Sequence, residues 1–126
     1  MSPPSFADYR TATTTLLGWI IPRPGMYFNT LHELESLLNG HSFAFTQMGL
    51  ELHEPDFNRA FLGWIYKKHT PPRGGAGWSA LIPEIAERQG RDARALLFEC
   101  LVELLAEWAP LPEPTLAAPP TDSSEP

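Results

Sequence analysis

Few side chains in this sequence are of the types that carry catalysis, and they are widely spaced. The four histidines are scattered along the chain: His32, His41, His53 and His69. No two of them lie one helical turn apart, the spacing that a helix-borne zinc site requires. Cys100 is the only cysteine and follows Glu99, and a neighbouring carboxylate raises the pKa of a thiol and makes it a poorer nucleophile. We therefore expect no metal site, no cofactor and no enzymatic activity, with Cys100 structural and His41 a hydrogen-bonded core histidine.

A glycine-rich segment at 73–77, Arg-Gly-Gly-Ala-Gly, has the flexibility of a phosphate-binding loop. It lacks the glycine spacings of the known nucleotide-binding loops, and no predicted strand precedes it. The only basic cluster lies beside it, among aromatic residues: Lys67, Lys68, His69 and Arg73. Such a cluster can hold single-stranded nucleic acid, but the helix dipole explains cations at a helix end equally well. Because the chain is acidic overall, we expect a hinge or partner-facing loop and no nucleic-acid binding.

The acidic residues, in contrast, are concentrated near the end of the chain. The 126 residues include 15 Asp and Glu against 9 Lys and Arg, which gives a net charge of −6. Residues 1–98 contain nine acids and nine bases, whereas residues 99–126 contain six acids and no base. Four acids fall on one face of the last predicted helix, opposite its apolar stripe: Asp92, Glu99, Glu103 and Glu107.

These four carboxylates break two local rules of helix stability. Like charges one turn apart destabilise a helix by about 0.2–0.5 kcal/mol per pair, and acids near a helix C-terminus oppose the macrodipole by about 0.3–1 kcal/mol. A locally unfavourable surface often serves a function, so this face is a candidate partner-binding site. The alternative is a solvated face, or one paired with Lys67 and Lys68 of a neighbouring helix.

The spacing of apolar residues predicts an all-α, single-domain bundle of about five helices. The predicted helices span residues 6–20, about 30–49, about 56–70, 78–89 and about 92–109. Asn29 or Thr30 is expected to cap the second helix, Ser79 the fourth and Asp92 the fifth. Between the first two helices, prolines and Gly25 are expected to turn the chain so that residues 26–28, Met-Tyr-Phe, pack against the bundle.

The ends of the chain differ in composition from the predicted helical domain at 6–109. Residues 1–5 are expected to be flexible, and 110–126, which hold six of the fourteen prolines, to form a disordered acidic tail. We see neither a signal-peptide pattern nor an apolar run of the about 18 residues that a membrane span needs. We therefore expect a soluble, cytoplasmic protein without membrane contact.

Four sequence strings follow one another in an order that is typical of a group of proteins. They are Arg-Pro-Gly-Met-Tyr (23–27), Leu-x-x-Leu-x-x-x-Leu-x-Gly-(aromatic or His)-x-Phe-Ala (31–44), Phe-x-x-Trp-Ile-x-x-Lys (61–68) and Gly-Trp-Ser-x-Leu-Ile (77–82). With them, residues 15–108 resemble a group of short, mostly uncharacterised bacterial proteins. Some members look like the immunity proteins that accompany bacterial toxins. The shared strings contain no catalytic signature.

The resemblance and the acidic face together imply a binding protein. We expect an immunity protein that neutralises a cognate bacterial toxin by occluding its active site, the acidic face docking into a basic cleft of the toxin. The expected partner-binding residues are Asp92, Glu99, Glu103 and Glu107, with Trp78 as the aromatic anchor. The alternative is a small helical adaptor or regulatory protein that acts through protein–protein contacts, possible homodimerisation included.

Overall fold

Five α-helices make up the part of the fold that the structure describes. The structure, a computed structural model, describes residues 2–69 and 77–108, and within these ranges it contains no strand. The helices are α1 (Phe6–Ile20), α2 (Leu31–Gln47), α3 (Phe57–His69), α4 (Trp78–Gln89) and α5 (Ala93–Trp108), with a short 3-10 turn at Pro24–Met26. The prediction of an all-α bundle of five helices is confirmed. The predicted tail at 110–126 and most of the glycine-rich segment lie outside the described residues.

Side-chain caps explain where several helices begin. Ser5 and Thr30 each form a reciprocal capping box, with Asp8 at the start of α1 and with Glu33 at the start of α2, and such boxes satisfy two backbone N–H groups that the helix leaves free. At the start of α3, the carboxylate of Asp56 accepts a hydrogen bond from the backbone N–H of Arg59 at 3.1 Å. The predicted cap at Thr30 is therefore confirmed.

The start of α4 differs from the prediction. Gly77, not Ser79, is the N-cap residue, and no side chain of α4 itself caps the helix. The hydroxyl of Ser79 instead donates to the carboxylate of Glu35 on α2, with 2.5 Å between Oγ and Oε1. Ser79 therefore joins two helices rather than starting one. At its other end, α4 stops at Gly90, which has φ of +67°, a left-handed conformation that glycine adopts without steric cost.

The core is formed by one buried face of each helix. The second helix packs against α1, α3 and α4, and α5 packs against α3 and α4. A buried polar network joins α1, α2 and α3: the Tyr9 hydroxyl lies 2.6 Å from Ser42 Oγ and accepts a hydrogen bond from the backbone N–H of Phe57 at 2.8 Å. Such hydrogen bonds satisfy polar groups that burial would otherwise penalise.

His41 is hydrogen-bonded, as predicted, but it is half-buried and lies at the edge of the core. Its Nε2 lies 3.0 Å from Thr13 Oγ1, whose own proton goes to the carbonyl oxygen of Tyr9. A hydroxyl has one proton to give, so the Nε2–H of His41 is the donor to Thr13. Partial burial lowers the pKa of His41 below its ordinary value of 6.5, because burial disfavours the charged ring.

The connection between α1 and α2 corrects a prediction. Of the three residues expected to pack against the bundle, Phe28 is buried, but Met26 and Tyr27 are 72% and 37% exposed. Phe28 is contacted by Arg94 of α5, whose guanidinium lies 4.9 Å from the centroid of the Phe28 ring. The same guanidinium donates a hydrogen bond to the carbonyl oxygen of Asn29. Only one of the three side chains therefore anchors the turn to the core.

Candidate functional site

The candidate site is the outer face of α5, hereafter the acidic face, which consists of Asp92, Glu99, Glu103 and Glu107. All four residues are exposed, whereas Leu97, Leu101 and Leu104 on the opposite side of the helix are buried. Since residues at steps of seven and four return to one side of a helix, the buried stripe holds the carboxylates outward. The structure thus brings the four predicted acids together on one surface.

The individual acids of this face have different surroundings. The carboxylate of Asp92 accepts a hydrogen bond from the backbone N–H of Ala95 at 3.0 Å. Its carbonyl oxygen accepts a second one from the backbone N–H of Leu96. This residue is the N-cap of α5, as predicted from the sequence. Helix capping therefore accounts for Asp92. It does not account for the other three residues of the face, Glu99, Glu103 and Glu107.

Two of these three glutamates form ion pairs across the surface. Glu99 lies 2.5 Å from the guanidinium of Arg91, and Glu107 lies 3.6 Å from Lys68 Nζ on α3. Pairing with Lys68 was one of the alternatives open from the sequence, whereas the pair with Arg91 was not foreseen. Both pairs are solvent-exposed, and exposed pairs contribute only about 0–1 kcal/mol each. Glu103 has no ion pair within residues 2–69 and 77–108.

Val102 lies on the same surface and was missed by the sequence reasoning. Its side chain is exposed, and it precedes Glu103 and follows Glu99 by three residues on α5. The exposure of Val102 could have been predicted from the sequence, because Val102 falls outside the leucine stripe and so cannot lie on the core face of the helix. An apolar side chain beside Glu99, at the edge of the acidic face, adds a small region that can be desolvated without burying a charge.

Trp78 is not part of this surface, and its prediction as an exposed anchor is wrong. The side chain is 0% exposed, and its ring centroid lies 5.1 Å from that of Phe61. Its indole Nε1 donates to Asn58 Oδ1 at 2.8 Å, while the Asn58 amide donates to the carbonyl oxygen of Glu35 and to Asn39 Oδ1. Trp78 is therefore a core residue that contacts α3 directly and is linked to α2 through Asn58.

Cys100 is buried beside the acidic face. Its Sγ lies 3.7 Å from His69 Nε2. Burial, together with the nearby charges of Glu103 and Glu99, raises the pKa of the thiol to about 11. A thiol so disfavoured from ionising is a weak nucleophile and a weak metal ligand. No group of three or more His, Cys, Asp or Glu suited to a metal ion occurs among the described residues.

Two shallow cavities lie elsewhere, at the connection between α2 and α3. One, of about 440 Å³, lies between the N-terminal segment and residues 49–54, and the other, of about 430 Å³, is formed by residues 52–56 and Arg59. None of the four acids of the acidic face and neither Cys100 nor His69 lines them. The cavities therefore give the acidic face no substrate pocket.

Three further exposed side chains are apolar or aromatic and lie close together in the sequence. Trp19, near the end of α1, is 61% exposed, and Met26 and Tyr27 follow within eight residues of it. These side chains are named here the apolar corner.

No helix within residues 2–69 and 77–108 is long and apolar enough to cross a membrane.

Comparison of the chain with protein-family models, with curated proteins and with solved structures finds no match in any of the three.

Proposed function

We propose that this chain is a bacterial immunity protein that acts in the cytoplasm and neutralises a cognate toxin by placing the acidic face of α5 over the toxin's active site. The observation that carries the proposal is the row formed by Glu99, Glu103 and Glu107. It is exposed over its whole length and fixed in direction by the buried leucines behind it. A fixed row of like charge is suited to a complementary, positively charged cleft.

The chemistry of the acidic face indicates the class of toxin. A nuclease or nucleotide-modifying enzyme binds phosphate and therefore has a basic cleft, which an acidic helix can enter as a substitute for the substrate. The exposed pairs with Arg91 and Lys68 do not oppose this, because each contributes little and can be exchanged for a toxin cation. Val102 lies at the edge of this row, where an apolar contact would help to exclude water from the interface.

The test uses the polypeptide encoded next to this chain's own gene. Production of that polypeptide is expected to stop growth of host cells, and production of this chain with it is expected to restore growth. The association rate of the two purified proteins is then measured in low and high salt. The triple change Glu99→Lys, Glu103→Lys and Glu107→Lys is expected to lower this rate by about 10- to 1,000-fold, because electrostatic steering acts on encounter.

A matched control carries the same charge change on other surfaces. Glu51, Glu54 and Glu87 are exposed and lie outside α5, so their triple change to Lys alters the net charge equally. This control is expected to retain most of the binding and all of the growth rescue. Unchanged binding by the α5 variant with its helical structure intact, or an equal loss in the control, would contradict the proposed role of the acidic face.

A further inference from the structure

Two cations of the chain itself pair with the acidic face. Glu99 pairs with the guanidinium of Arg91, in the turn between α4 and α5, and Glu107 pairs with Lys68 Nζ at 3.6 Å, near the end of α3. Glu103 lies between the two on α5 and has no ion pair among the described residues. The three carboxylates of the row are therefore not equivalent, because the outer two are partly neutralised and the central one is not.

The end of α4 fixes the position of Arg91. The backbone N–H of Arg91 donates to the carbonyl oxygen of Ala86 at 2.8 Å, and Gly90, directly before it, has φ of +67°. These are the features of a Schellman motif, in which the chain bonds back across the last turn of the helix. Because its backbone is held in this way, the side chain of Arg91 stays within reach of Glu99.

Lys68 is held by a second contact on its own helix. Its Nζ lies 5.9 Å from the centroid of the ring of Trp64, one turn earlier on α3, and Trp64 is buried. A cation at this distance from an indole ring is attracted to it. This contact does not depend on Glu107. Lys68 can therefore give up Glu107 to another cation without losing all of its partners.

A cation that approaches the acidic face meets an unequal row. To bind Glu99 or Glu107 it must replace Arg91 or Lys68, whereas Glu103 accepts it without any exchange. The three glutamates follow one another at steps of four residues, so Glu103 is the neighbour of both others on the helix surface. A cation bound at Glu103 is therefore placed next to the two sites of exchange.

From these contacts we propose that Arg91 and Lys68 determine the specificity of the acidic face. They compete with the partner for Glu99 and Glu107, and Glu103 binds the partner's first lysine or arginine. The inference rests on the proposed function of this face. A partner with a single cation gains only Glu103, whereas a partner with several closely spaced cations also displaces both internal ones. The two internal cations thus restrict binding to strongly basic clefts.

Hexalysine is the probe for this competition, because it presents several lysines and requires no identified toxin. Its affinity for the full chain is measured from the backbone amide NMR signals of α5, so that binding to acids elsewhere in the chain is recorded separately. Lys68→Met and Arg91→Met are each expected to strengthen binding at α5 by about two- to fivefold, because each change frees a carboxylate from an exposed ion pair.

Each of these variants has a matched control close to it in the chain. Lys67 and Arg88 are exposed and have no ion pair within the described part of the chain. Lys67→Met and Arg88→Met therefore remove the same charge without freeing a carboxylate. They are expected to strengthen binding at α5 by less than about 1.5-fold at about 0.1 M salt, because dissolved ions screen charges that are not in contact.

The glutamates provide a second test with the same probe. Glu103→Gln is expected to weaken hexalysine binding at α5 at least about twice as much as Glu99→Gln or Glu107→Gln. The three effects are expected to become equal in a chain that carries both Lys68→Met and Arg91→Met, because no internal cation then distinguishes the carboxylates.

Equal effects of the three glutamate changes in the parent chain would overturn the inference, and so would Lys68 and Arg91 variants that behave like their controls. Either result can occur while the triple change to Lys on α5 still abolishes toxin binding, and the proposed function would then stand without the inference. A chain that does not restore growth contradicts the proposed function instead, whereas the competition for the glutamates is decided by hexalysine alone.

Discussion

Gly77→Ala is expected to disrupt the junction between α2 and α4. A Cβ built on Gly77 would lie 3.0 Å from Cδ and Oε1 of Glu35 and closer still to Oε2, distances that van der Waals contacts do not allow. The backbone of Gly77 has φ of −72° and ψ of 167°, which any residue can adopt. The glycine is therefore needed for space and not for its conformational freedom.

The expected loss of stability follows from the interactions that Glu35 loses. To make room for the methyl group, its carboxylate must leave Ser79 and the N-terminus of α4. A hydrogen bond to a charged group contributes about 1.5–3 kcal/mol, and a carboxylate at a helix N-terminus about 0.3–1 kcal/mol. Because the Glu35 side chain is 16% exposed, rotation towards solvent recovers part of this loss. We expect the free energy of unfolding to fall by about 2 kcal/mol, or the melting temperature by about 10 °C.

Urea denaturation of four proteins measures this coupling: the parent, Gly77→Ala, Glu35→Ala and the double variant. The alanine at 77 is expected to cost about 2 kcal/mol in the parent and less than about 0.5 kcal/mol once Glu35 is removed. Gly63→Ala on α3 is the control, since a Cβ there meets no atom within 4 Å and is expected to stabilise the helix by about 0.5–1 kcal/mol. An equal cost of Gly77→Ala in both backgrounds would refute the steric argument.

Three other predictions concern buried polar groups. Asn58→Ala is expected to lower the free energy of unfolding by about 2–4 kcal/mol in urea titrations, because the indole of Trp78 loses its acceptor; Asn39→Ala, at an exposed position, is expected to cost clearly less. The lowered pKa of His41 means that the unfolded chain binds a proton more readily near pH 6. Stability is therefore expected to fall as the pH drops below about 6.5, and less so in His41→Gln. Cys100, with a thiol pKa of about 11, is expected to react with a maleimide at pH 8 at least about 100-fold more slowly in the folded than in the urea-unfolded chain.

The sequence predicted the helices and their ends well, because the signals for them are local. The period of the apolar residues predicted α1 and α4 with the bounds that the structure has. The caps at Thr30 and Asp92 are short-range hydrogen bonds within three residues, so they too can be identified from neighbouring letters. The direction of the acidic face follows from the same helical period.

Contacts between helices were not predictable in this way. Whether Trp78 faces solvent or the core depends on how α4 is rotated against α2 and α3, and only the packed structure fixes that rotation. The same holds for Ser79, which is a good cap by residue type but lies two residues past the N-cap. Met26 and Tyr27 are apolar and were assigned to the core, yet a short turn has no period from which their orientation can be inferred.

The contact between the beginning of α1 and the end of α5 has a consequence for the chain's connectivity. The rings of Phe6 and Trp108 lie 6.2 Å apart and nearly perpendicular, so the path of the backbone is nearly a closed ring. A short linker that joins these two points would preserve every helix contact, and new ends could be opened in the exposed segment 51–54 between α2 and α3. Such a circular permutant is expected to fold, because neither change removes a buried backbone hydrogen bond. In the chain with its natural ends, protein tags attached before α1 or after α5 would be joined to the bundle at one common pole.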